Sequence, residues 1–530
     1  MKKDTFIYST IVLIAANFLA RFLGFIYKIL LSRFLGSEGI GLYHLVFHAF
    51  LVIITITSSG IPVAVSKIVA QKMSLNDYKS CKKTLRISLL LGFTISIFLC
   101  ALTSKNHDLL IKYIIKSNKL EMSLIALIPA IPIVTLSSIF RSYYYGIKRV
   151  IPSANSQIME QFLRVIFVIS LLYIWEPQDL KISVMIATIG ITVGEIGGLI
   201  LLVLSLRSNN IYPSKFSNKK LIANSYKRNN TMPSNFTDTA SLIFKIAAIS
   251  FPITIARLVS VLMQSANMFL VPQRLQICGY SLKQSVTIFG EVVGMNMPLL
   301  FLPFIVTSAF VVNLIPNISA ENALMKSTNI EVKSLLALRV TLLISIPIAF
   351  IFFFFGIPIC SFLYDKPSVG IHLRYLSYSV IFLSLHHIIS GVLHGLGKQV
   401  LTTINHFIGM TIHLICIYFL VSNPKIGING FIIGFILSSF TMFFLDFTAL
   451  KHFVNIKIKL INHLIKPILS SILMVIIIAL GNKQLIQIGV PGKLGIIIST
   501  SVGGFVYLLG IVITGSIKFE TIRYVLTTKK

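Results

Sequence analysis

Residues 341–359 read TLLISIPIAFIFFFFGIPI, and no side chain in this run is charged. An α-helix needs about 20 consecutive apolar residues to cross the hydrocarbon core of a bilayer. Similar runs recur along the whole chain of 530 residues, of which 55% are hydrophobic and 12% are charged. This composition excludes a soluble protein and predicts an all-α polytopic membrane protein.

The apolar runs predict about 14 transmembrane helices. The first run contains Arg21 and is too long for a signal peptide, so we expect it to be retained. The segment 105–121 predicts either an amphipathic helix on the outer surface or a solvated connector. The predicted spans are 6–34, 42–66, 85–104, 122–145, 153–175, 182–206, 241–270, 285–314, 335–359, 374–396, 399–422, 427–450, 461–480 and 493–516.

The formal net charge of +31 would suggest nucleic acid as a partner if the protein were soluble. Here the Lys and Arg residues concentrate in connections that lie inside if both termini are cytoplasmic. We therefore predict a multi-pass protein of the cell membrane with cytoplasmic N- and C-termini. Its basic connections are expected to contact anionic membrane lipids, and no nucleic-acid binding is predicted.

Two short motifs recur six spans apart. YGIKR at 145–149 ends the fourth span and HGLGK at 394–398 ends the tenth, while PVAVS at 62–66 and PNIS at 316–319 close the second and eighth. This register predicts two six-helix lobes in a parallel pseudo-repeat, as in transporters whose halves are related by an axis normal to the membrane. The predicted domains are an N-terminal lobe at 1–206, a polar cytoplasmic linker at 207–240, a C-terminal lobe at 241–452, and two extra helices with a basic tail at 453–530.

Several basic side chains lie within these spans: Arg21, Lys28, Arg141, Arg164 and Arg257. A cation at the centre of a bilayer costs about 2.5–3.5 kcal/mol on insertion scales and usually faces protein or a water-filled cavity. Fewer carboxylates occupy similar positions, namely Glu160, Glu195, Glu291 and Asp446. The excess of positive charge predicts an anionic passenger.

Two polar stripes carry the candidate binding residues. Asn17, Arg21, Gly24 and Lys28 recur at helical spacing in the first span and share one face. The seventh span carries a second stripe, made of Arg257, Ser260, Gln264 and Asn267. We interpret the stripes as the lining of a cavity between the halves, where arginine binds phosphate through bidentate hydrogen bonds, helped by Lys28 and Arg274. For Lys28, contact with lipid headgroups is an equal alternative.

The remaining ionisable residues have competing interpretations. Arg164 lies four residues after Glu160, which predicts a structural ion pair on one helix face. Arg141 lies near the inner end of the fourth span, where interfacial anchoring and substrate contact are both open. Glu195 and Glu291 either titrate, bind a coupling cation, or pair with the cavity arginines. Because the chain lacks P-loop, HExxH and CxxC motifs, we predict no cofactor, no metal and no enzymatic activity.

Four motifs resemble the stage V sporulation protein B family: LARFLGFIYK at 19–28, LGSEGIGLY at 35–43, GIPVAVSK at 60–67 and LIPNIS at 314–319. This family belongs to the polysaccharide exporters of the MOP superfamily and is related to the lipid II flippases, so the resemblance implies a fold like those of MATE transporters and MurJ. It also implies a flippase that moves an undecaprenyl-pyrophosphate-linked saccharide, similar to lipid II, by alternating access for spore cortex peptidoglycan. Peptidoglycan synthases are candidate partners, and the two extra helices would form a groove for the polyprenyl tail.

The resemblance carries over residue by residue only in part. Arg21 matches the first-helix cavity arginine of the lipid II flippases, but their second arginine falls at Tyr27, beside a lysine. Their second-helix arginine has no counterpart in residues 50–59, and their eighth-helix arginine falls near Met297. At the position in the seventh helix where this family commonly has an acidic residue, this chain has Asn267. These departures favour a pyrophosphate lipid in general over lipid II in particular.

Other function classes make different demands on the residues. A cation-coupled multidrug exporter of the same fold favours acidic cavity residues, which the first predicted helix lacks. A membrane glycosyltransferase needs catalytic carboxylates in outer loops, where the candidates are Glu176, Asp179 and Asp365. A membrane scaffold without transport activity would leave the polar stripes unexplained.

Overall fold

The computed structural model describes residues 3–109, 111, 120–207, 235–325, 327–455 and 461–515. Most of the predicted linker 207–240 and much of the segment 105–121 lie outside the described residues. Within the described part there is no strand, and the helices are α1 Lys3–Ser58, α2 Gly60–Ser74, α3 Tyr78–Lys105, α4 His107–Leu109, α5 Glu121–Leu127, α6 Ala130–Gly146, α7 Val150–Trp175, α8 Leu180–Arg207, α9 Asn235–Ile277, α10 Leu282–Phe289, α11 Met297–Leu300, α12 Leu302–Ala323, α13 Ser327–Tyr364, α14 Pro367–Gly395, α15 Gln399–Leu420, α16 Asn429–Phe453, α17 Lys466–Gln487 and α18 Gly492–Ile513.

Thirteen helical segments of the described chain are long and apolar enough to cross a membrane. The first of them, Ala15–Ser74, is 60 residues long and includes most of the two predicted spans 6–34 and 42–66. The backbone turns within it at Gly36, whose φ of 65° and ψ of −176° are open to glycine and strained for other residues. The prediction of an all-α polytopic protein with about 14 apolar helices is confirmed.

The chain divides into two compact units. Unit 1 comprises Met1–Gly24 and Leu45–Ser265, and unit 2 comprises Phe25–His44 and Ala266–Lys530. Helices α1 and α9 therefore contribute residues to both units. The domain boundaries predicted from the sequence at 206 and 241 stay a prediction.

Each unit has its own apolar core. In unit 1, α2, α3, α6 and α8 bury a cluster that includes Val65, Val69, Cys81, Tyr143 and Leu202. In unit 2, α13, α14 and α16 bury a larger cluster, including Ile346, Ile388, Ile389, Val392 and Leu450. Side-chain packing of this kind holds membrane helices together, because lipid tails are as apolar as the side chains themselves.

Proline disturbs the helices of unit 2 at two places. The predicted span 285–314 contains a π-helical segment, Gly290–Asn296, followed by α11 and a break before α12. Pro298 explains the distortion, because its nitrogen cannot donate the backbone hydrogen bond that an α-helix requires. In α13, Phe355 leaves the helical region three residues before Pro358 for the same reason.

Candidate functional site

The first polar stripe lies on a regular part of α1, because Gly36 is the non-helical residue of that helix. The spacing of Asn17, Arg21, Gly24 and Lys28 therefore places them along one side of the helix. Arg21 and Lys28 are exposed, whereas Asn17 and Gly24 are half-buried. Among the described residues, Arg21 has no ion-pair partner. The residue that best matches a cavity arginine is thus an accessible and uncompensated cation.

The second stripe, on α9, is less uniform than its spacing predicts. Arg257 and Gln264 are exposed, but Asn267 is 1% exposed and its Oδ1 has no hydrogen-bond partner in the described part of the chain. Arg274 packs its guanidinium 3.5 Å from the centre of the Tyr418 ring, a cation–π contact within unit 2. Of these residues, Arg257 most resembles Arg21, since it too is exposed and lacks an ion pair with any described carboxylate.

The other two candidate arginines, Arg141 and Arg164, lie in a buried ion cluster of unit 1. Arg141 Nη2 lies 2.9 Å from Glu160 Oε2 and 3.3 Å from Glu195 Oε2. Arg164 Nη2 lies 2.6 Å from Glu160 Oε1, one helical turn away on α7. Each arginine thus has a buried carboxylate partner, as expected for a structural ion cluster. Arg141 thus contacts carboxylates of α7 and α8, and Glu195 lies at Arg141 rather than at Arg21 or Arg257.

Glycines let α7 and α8 approach closely enough to form this ion cluster. Gly190, Gly194 and Gly198 recur every four residues on α8, the small-residue spacing of tightly packed membrane helices. A Cβ atom at Gly194 would lie 2.7 Å from the backbone oxygen of Glu160, and one at Gly198 would lie 3.2 Å from Arg141 Nη2. A larger residue at either position would displace α7 or its charged side chains.

Glu291 occupies a different setting, in the π-helical segment of unit 2. Its Oε1 accepts a hydrogen bond of 3.1 Å from Ser368 Oγ, and its Oε2 lies 3.8 Å from His372 Nε2. The neighbouring Asn296 is fully buried and donates its amide to the Val369 carbonyl oxygen at 3.0 Å. These bonds tie the distorted segment to the start of α14.

One group of described side chains has donor atoms close enough for a metal ion, namely His107, Asp108 and Glu121, all within 4.8 Å. His107 and Asp108 lie in α4 and Glu121 begins α5, and both carboxylates are exposed. The hydrogen bond from the His107 ring to the Ser104 carbonyl, together with the two carboxylates, raises the pKa of His107. Ion pairing at the surface accounts for the grouping.

A basic surface lies at the start of α3. Lys79, Lys82, Lys83 and Arg86 recur at i, i+3, i+4 and i+7, and they line one pocket with Thr239 of α9. This spacing puts four cations on one side of the helix. Such a surface attracts anionic headgroups.

Sequence reasoning missed two features of unit 2. The first is an apolar groove of about 330 Å³ between α13 and α18, whose lining includes Ile351, Phe352, Phe362 and Ile497. Arg33 donates hydrogen bonds to the backbone carbonyls of Phe362 and Leu363 at this groove. The groove depends on which faces of two distant helices meet, and the sequence carries no local sign of that.

The second missed feature is a polar cluster around Asp446. His386 Nδ1 lies 2.9 Å from Asp446 Oδ2, and Asn405 Nδ2 donates to Asp446 Oδ1 at 2.7 Å. In the sequence, the recurrence of His386, Ser390 and His394 every four residues indicates a polar face on α14.

Comparison with known proteins identifies the family. The sequence profile of the polysaccharide biosynthesis protein family matches residues 6–321. The chain belongs to this family. It is 25% identical over 526 residues to stage V sporulation protein B of Bacillus subtilis (strain 168), covering 99% of this chain and 98% of that protein. It is 24% identical to the lipid II flippase MurJ of the same organism, over 94% of this chain and 93% of that one.

The fold of this family member is that of MOP superfamily transporters. A structure of the lipid II flippase MurJ in an inward closed conformation superposes with a TM-score of 0.68 and 17% identity, covering 95% of this chain and 98% of that one. An inward-facing MATE family transporter of the MOP superfamily gives a TM-score of 0.63 and 14% identity, covering 84% of this chain and 98% of that one. The predicted MATE- and MurJ-like fold is therefore confirmed.

Proposed function

We propose that this member of the polysaccharide biosynthesis protein family is a flippase for a polyprenyl-pyrophosphate-linked saccharide. One observation carries the proposal: the four arginines singled out from the sequence, Arg21, Arg141, Arg164 and Arg257, divide into two kinds. Arg141 and Arg164 are neutralised by buried carboxylates, whereas Arg21 and Arg257 are exposed and have no ion pair among the described residues. Uncompensated cations in apolar helices are costly unless an anion or water meets them.

The chemistry of arginine suits a pyrophosphate. A guanidinium donates parallel, charge-assisted hydrogen bonds to phosphate oxygens and keeps its charge at every physiological pH. In this proposal Arg21 and Arg257 contact the pyrophosphate, with Asn17 and Gln264 as hydrogen-bonding groups and Gly24 leaving room for the head group, while the role predicted for Asn267 stays a prediction. Lys28 and Arg274 stay predicted contributors of positive charge. The fixed donors replace the hydration that the head group loses.

The tail of such a lipid needs an apolar surface, and the groove between α13 and α18 offers one. Its lining is predominantly aliphatic and aromatic, including Ile351, Phe352 and Ile497. Arg33 closes one side of this groove by donating to the backbone carbonyls of Phe362 and Leu363. Helix α18 is one of the two extra C-terminal helices that follow the two predicted six-helix lobes.

Two relatives suggest the identity of the passenger and the process that it serves. The lipid II flippase MurJ suggests a lipid II-like peptidoglycan precursor, and stage V sporulation protein B suggests a role during sporulation, for which we propose cortex peptidoglycan. Peptidoglycan synthases are then the proposed consumers of the product. Transport by alternating access, with both termini in the cytoplasm, completes the proposal.

The proposal is tested with purified full-length protein in lipid vesicles. Fluorescent lipid II, a second pyrophosphate-linked saccharide lipid and a monophosphate analogue are compared for the rate at which their head groups become accessible on the opposite side. We expect both pyrophosphate lipids to flip faster than the monophosphate. Equal rates for all three lipids, or rates equal to empty vesicles, would contradict the proposal.

The MATE structure supports a second candidate, a cation-coupled multidrug exporter. Vesicles loaded with a cationic dye separate the two functions, because an exporter moves the dye and a flippase does not. Repulsion by Arg21 and Arg257 leads us to expect no dye transport.

A further inference from the structure

Gln161 of α7 is a polar side chain of unit 1 to which the proposed transport assigns no role. It is half-buried and lies beside Gly24, the glycine of the first polar stripe. A Cβ atom on Gly24 would lie 3.6 Å from Gln161 Oε1. Because glycine has no side chain, the amide of Gln161 meets the bare face of α1 that also carries Arg21.

The neighbouring Glu160 determines which way this amide points. Glu160 is a carboxylate held by Arg141 and Arg164, and an ionised carboxylate can only accept hydrogen bonds. Gln161 Nε2 lies 3.4 Å from Glu160 Oε1, so the nitrogen end of the amide faces the carboxylate. The oxygen end faces Gly24 and has no hydrogen-bond partner among the described residues. An amide oxygen is therefore left at the stripe, ready to accept a hydrogen bond.

The other glutamine on this face of α7 has a protein partner. Gln157 lies one helical turn before Gln161 and donates its amide to the Tyr145 hydroxyl at 3.2 Å. That contact accounts for Gln157 within the protein. In the described part of the chain, nothing comparable faces the oxygen of Gln161.

An accepting oxygen does not suit the pyrophosphate itself. Phosphate oxygens also accept, so their partner is the guanidinium of Arg21, which only donates. Gln161 Oε1 needs a donor, and the donors of a saccharide head group are its hydroxyl and amide N–H groups. Gly24 follows Arg21 by three residues, about 4.5 Å along the helix axis. A sugar bonded directly to a pyrophosphate at Arg21 is large enough to span that distance.

We propose that Gln161 is a specificity-determining residue, which accepts a hydrogen bond from the saccharide of the passenger. Glu160 is then a positioning residue, because it orients the amide without touching the passenger. This contact rests on the proposed flippase function. It gives the head group a direction along α1, with the pyrophosphate at Arg21 and the sugar on the Gly24 side of it.

The contact is tested by binding of fluorescent lipids to the purified full-length protein. One lipid carries an N-acetylated monosaccharide on a polyprenyl pyrophosphate. The other is the same lipid with its hydroxyl and amide N–H groups methylated, which removes the donors and keeps the acceptors. Q161M replaces the amide with an apolar side chain of similar length. Q487M is the matched control, because Gln487 is exposed at the end of α17.

One ordinary hydrogen bond changes affinity by about 2- to 10-fold. We expect Q161M to lower the preference for the unmodified lipid over the methylated one by this factor, with the loss of affinity confined to the unmodified lipid. Q487M should keep the wild-type preference. An equal loss for both lipids in Q161M would indicate a structural role, and an unchanged preference would indicate no contact. Either result would overturn the proposal.

G24A tests the contact from the other helix and decides the matter if Q161M does not fold. Its methyl group would lie at ordinary van der Waals distance from Gln161 Oε1, so the fold tolerates it while the space in front of the oxygen narrows. We expect a lowered preference for the unmodified lipid, and a wild-type preference in G24A would overturn the proposal.

Flipping of both lipids is measured in vesicles with the same variants. A binding preference that depends on Gln161, without flipping of either lipid, would refute the proposed function and support the contact. Flipping with a preference that does not depend on Gln161 would refute the contact alone.

Discussion

Replacing Arg141 with methionine removes the central cation of the buried ion cluster. Glu195 then loses its ion-pair partner at 3.3 Å, while Glu160 keeps Arg164 at 2.6 Å. Coulomb's law with an effective dielectric constant of about 20 gives roughly 5 kcal/mol for unit charges at that separation. Removing one partner of a buried ion pair costs about 3–5 kcal/mol in measured cases, so the two magnitudes agree.

Each kcal/mol of lost stability lowers the unfolding temperature of a folding unit of 150–250 residues by about 2–4 °C. R141M should therefore unfold about 10 °C below wild type. The assay is the fraction of purified protein that stays monodisperse after heating. R257M is the matched control, because it removes an exposed arginine and should cost under about 0.5 kcal/mol. E195Q added to R141M should recover part of the loss by removing the stranded charge. If R141M were as stable as R257M, the structural role of the ion cluster would be refuted.

Three further predictions follow from the packing. G194A should destabilise unit 1 by about 1–3 kcal/mol because its Cβ meets the α7 backbone, whereas G504A, where nothing lies within 4 Å, should be near neutral in the same heating assay. The Asp77 side chain caps α3. Partial burial opposes its ionisation, but its hydrogen bonds to Ser80 and the charge of Lys72 lower its pKa overall. The stability that the ionised cap contributes is therefore fully present above the ordinary pKa near 4 and is lost as the pH falls through the lowered pKa. D77A should therefore speed amide exchange in the first turn of α3 at neutral pH, with a smaller difference from wild type in acid. I497W should slow flipping of a long-chain lipid more than a short-chain analogue by filling the groove, whereas V502W, on the exposed part of the same helix, should not.

Local patterns predicted the fold and part of the candidate site. A span depends on about 20 consecutive side chains, so apolar runs such as 341–359 were enough to predict it. The spacing of Glu160 and Arg164 likewise predicted their contact, which follows from one helical turn. The stripe on α1 could be predicted because it requires only that residues 17 to 28 form a regular helix.

Contacts between helices could not be predicted in this way. Arg141 lies 19 residues from Glu160 and 54 from Glu195, and the rotation of α6 against α7 and α8 decides whether they meet. Asp446 is 60 residues from His386, so neither side chain signals the other. Tertiary packing decided these sites.

If Arg21 and Arg257 contact the passenger, the R21A/R257A variant should lose flipping activity. The purified variant, wild type and R207A, which removes an exposed arginine at the end of α8, are compared in vesicles with one fluorescent pyrophosphate lipid. We predict that R21A/R257A loses head-group translocation while unfolding at the wild-type temperature, and that R207A keeps the wild-type rate. A correctly folded R21A/R257A that flips the lipid as fast as wild type would contradict the account.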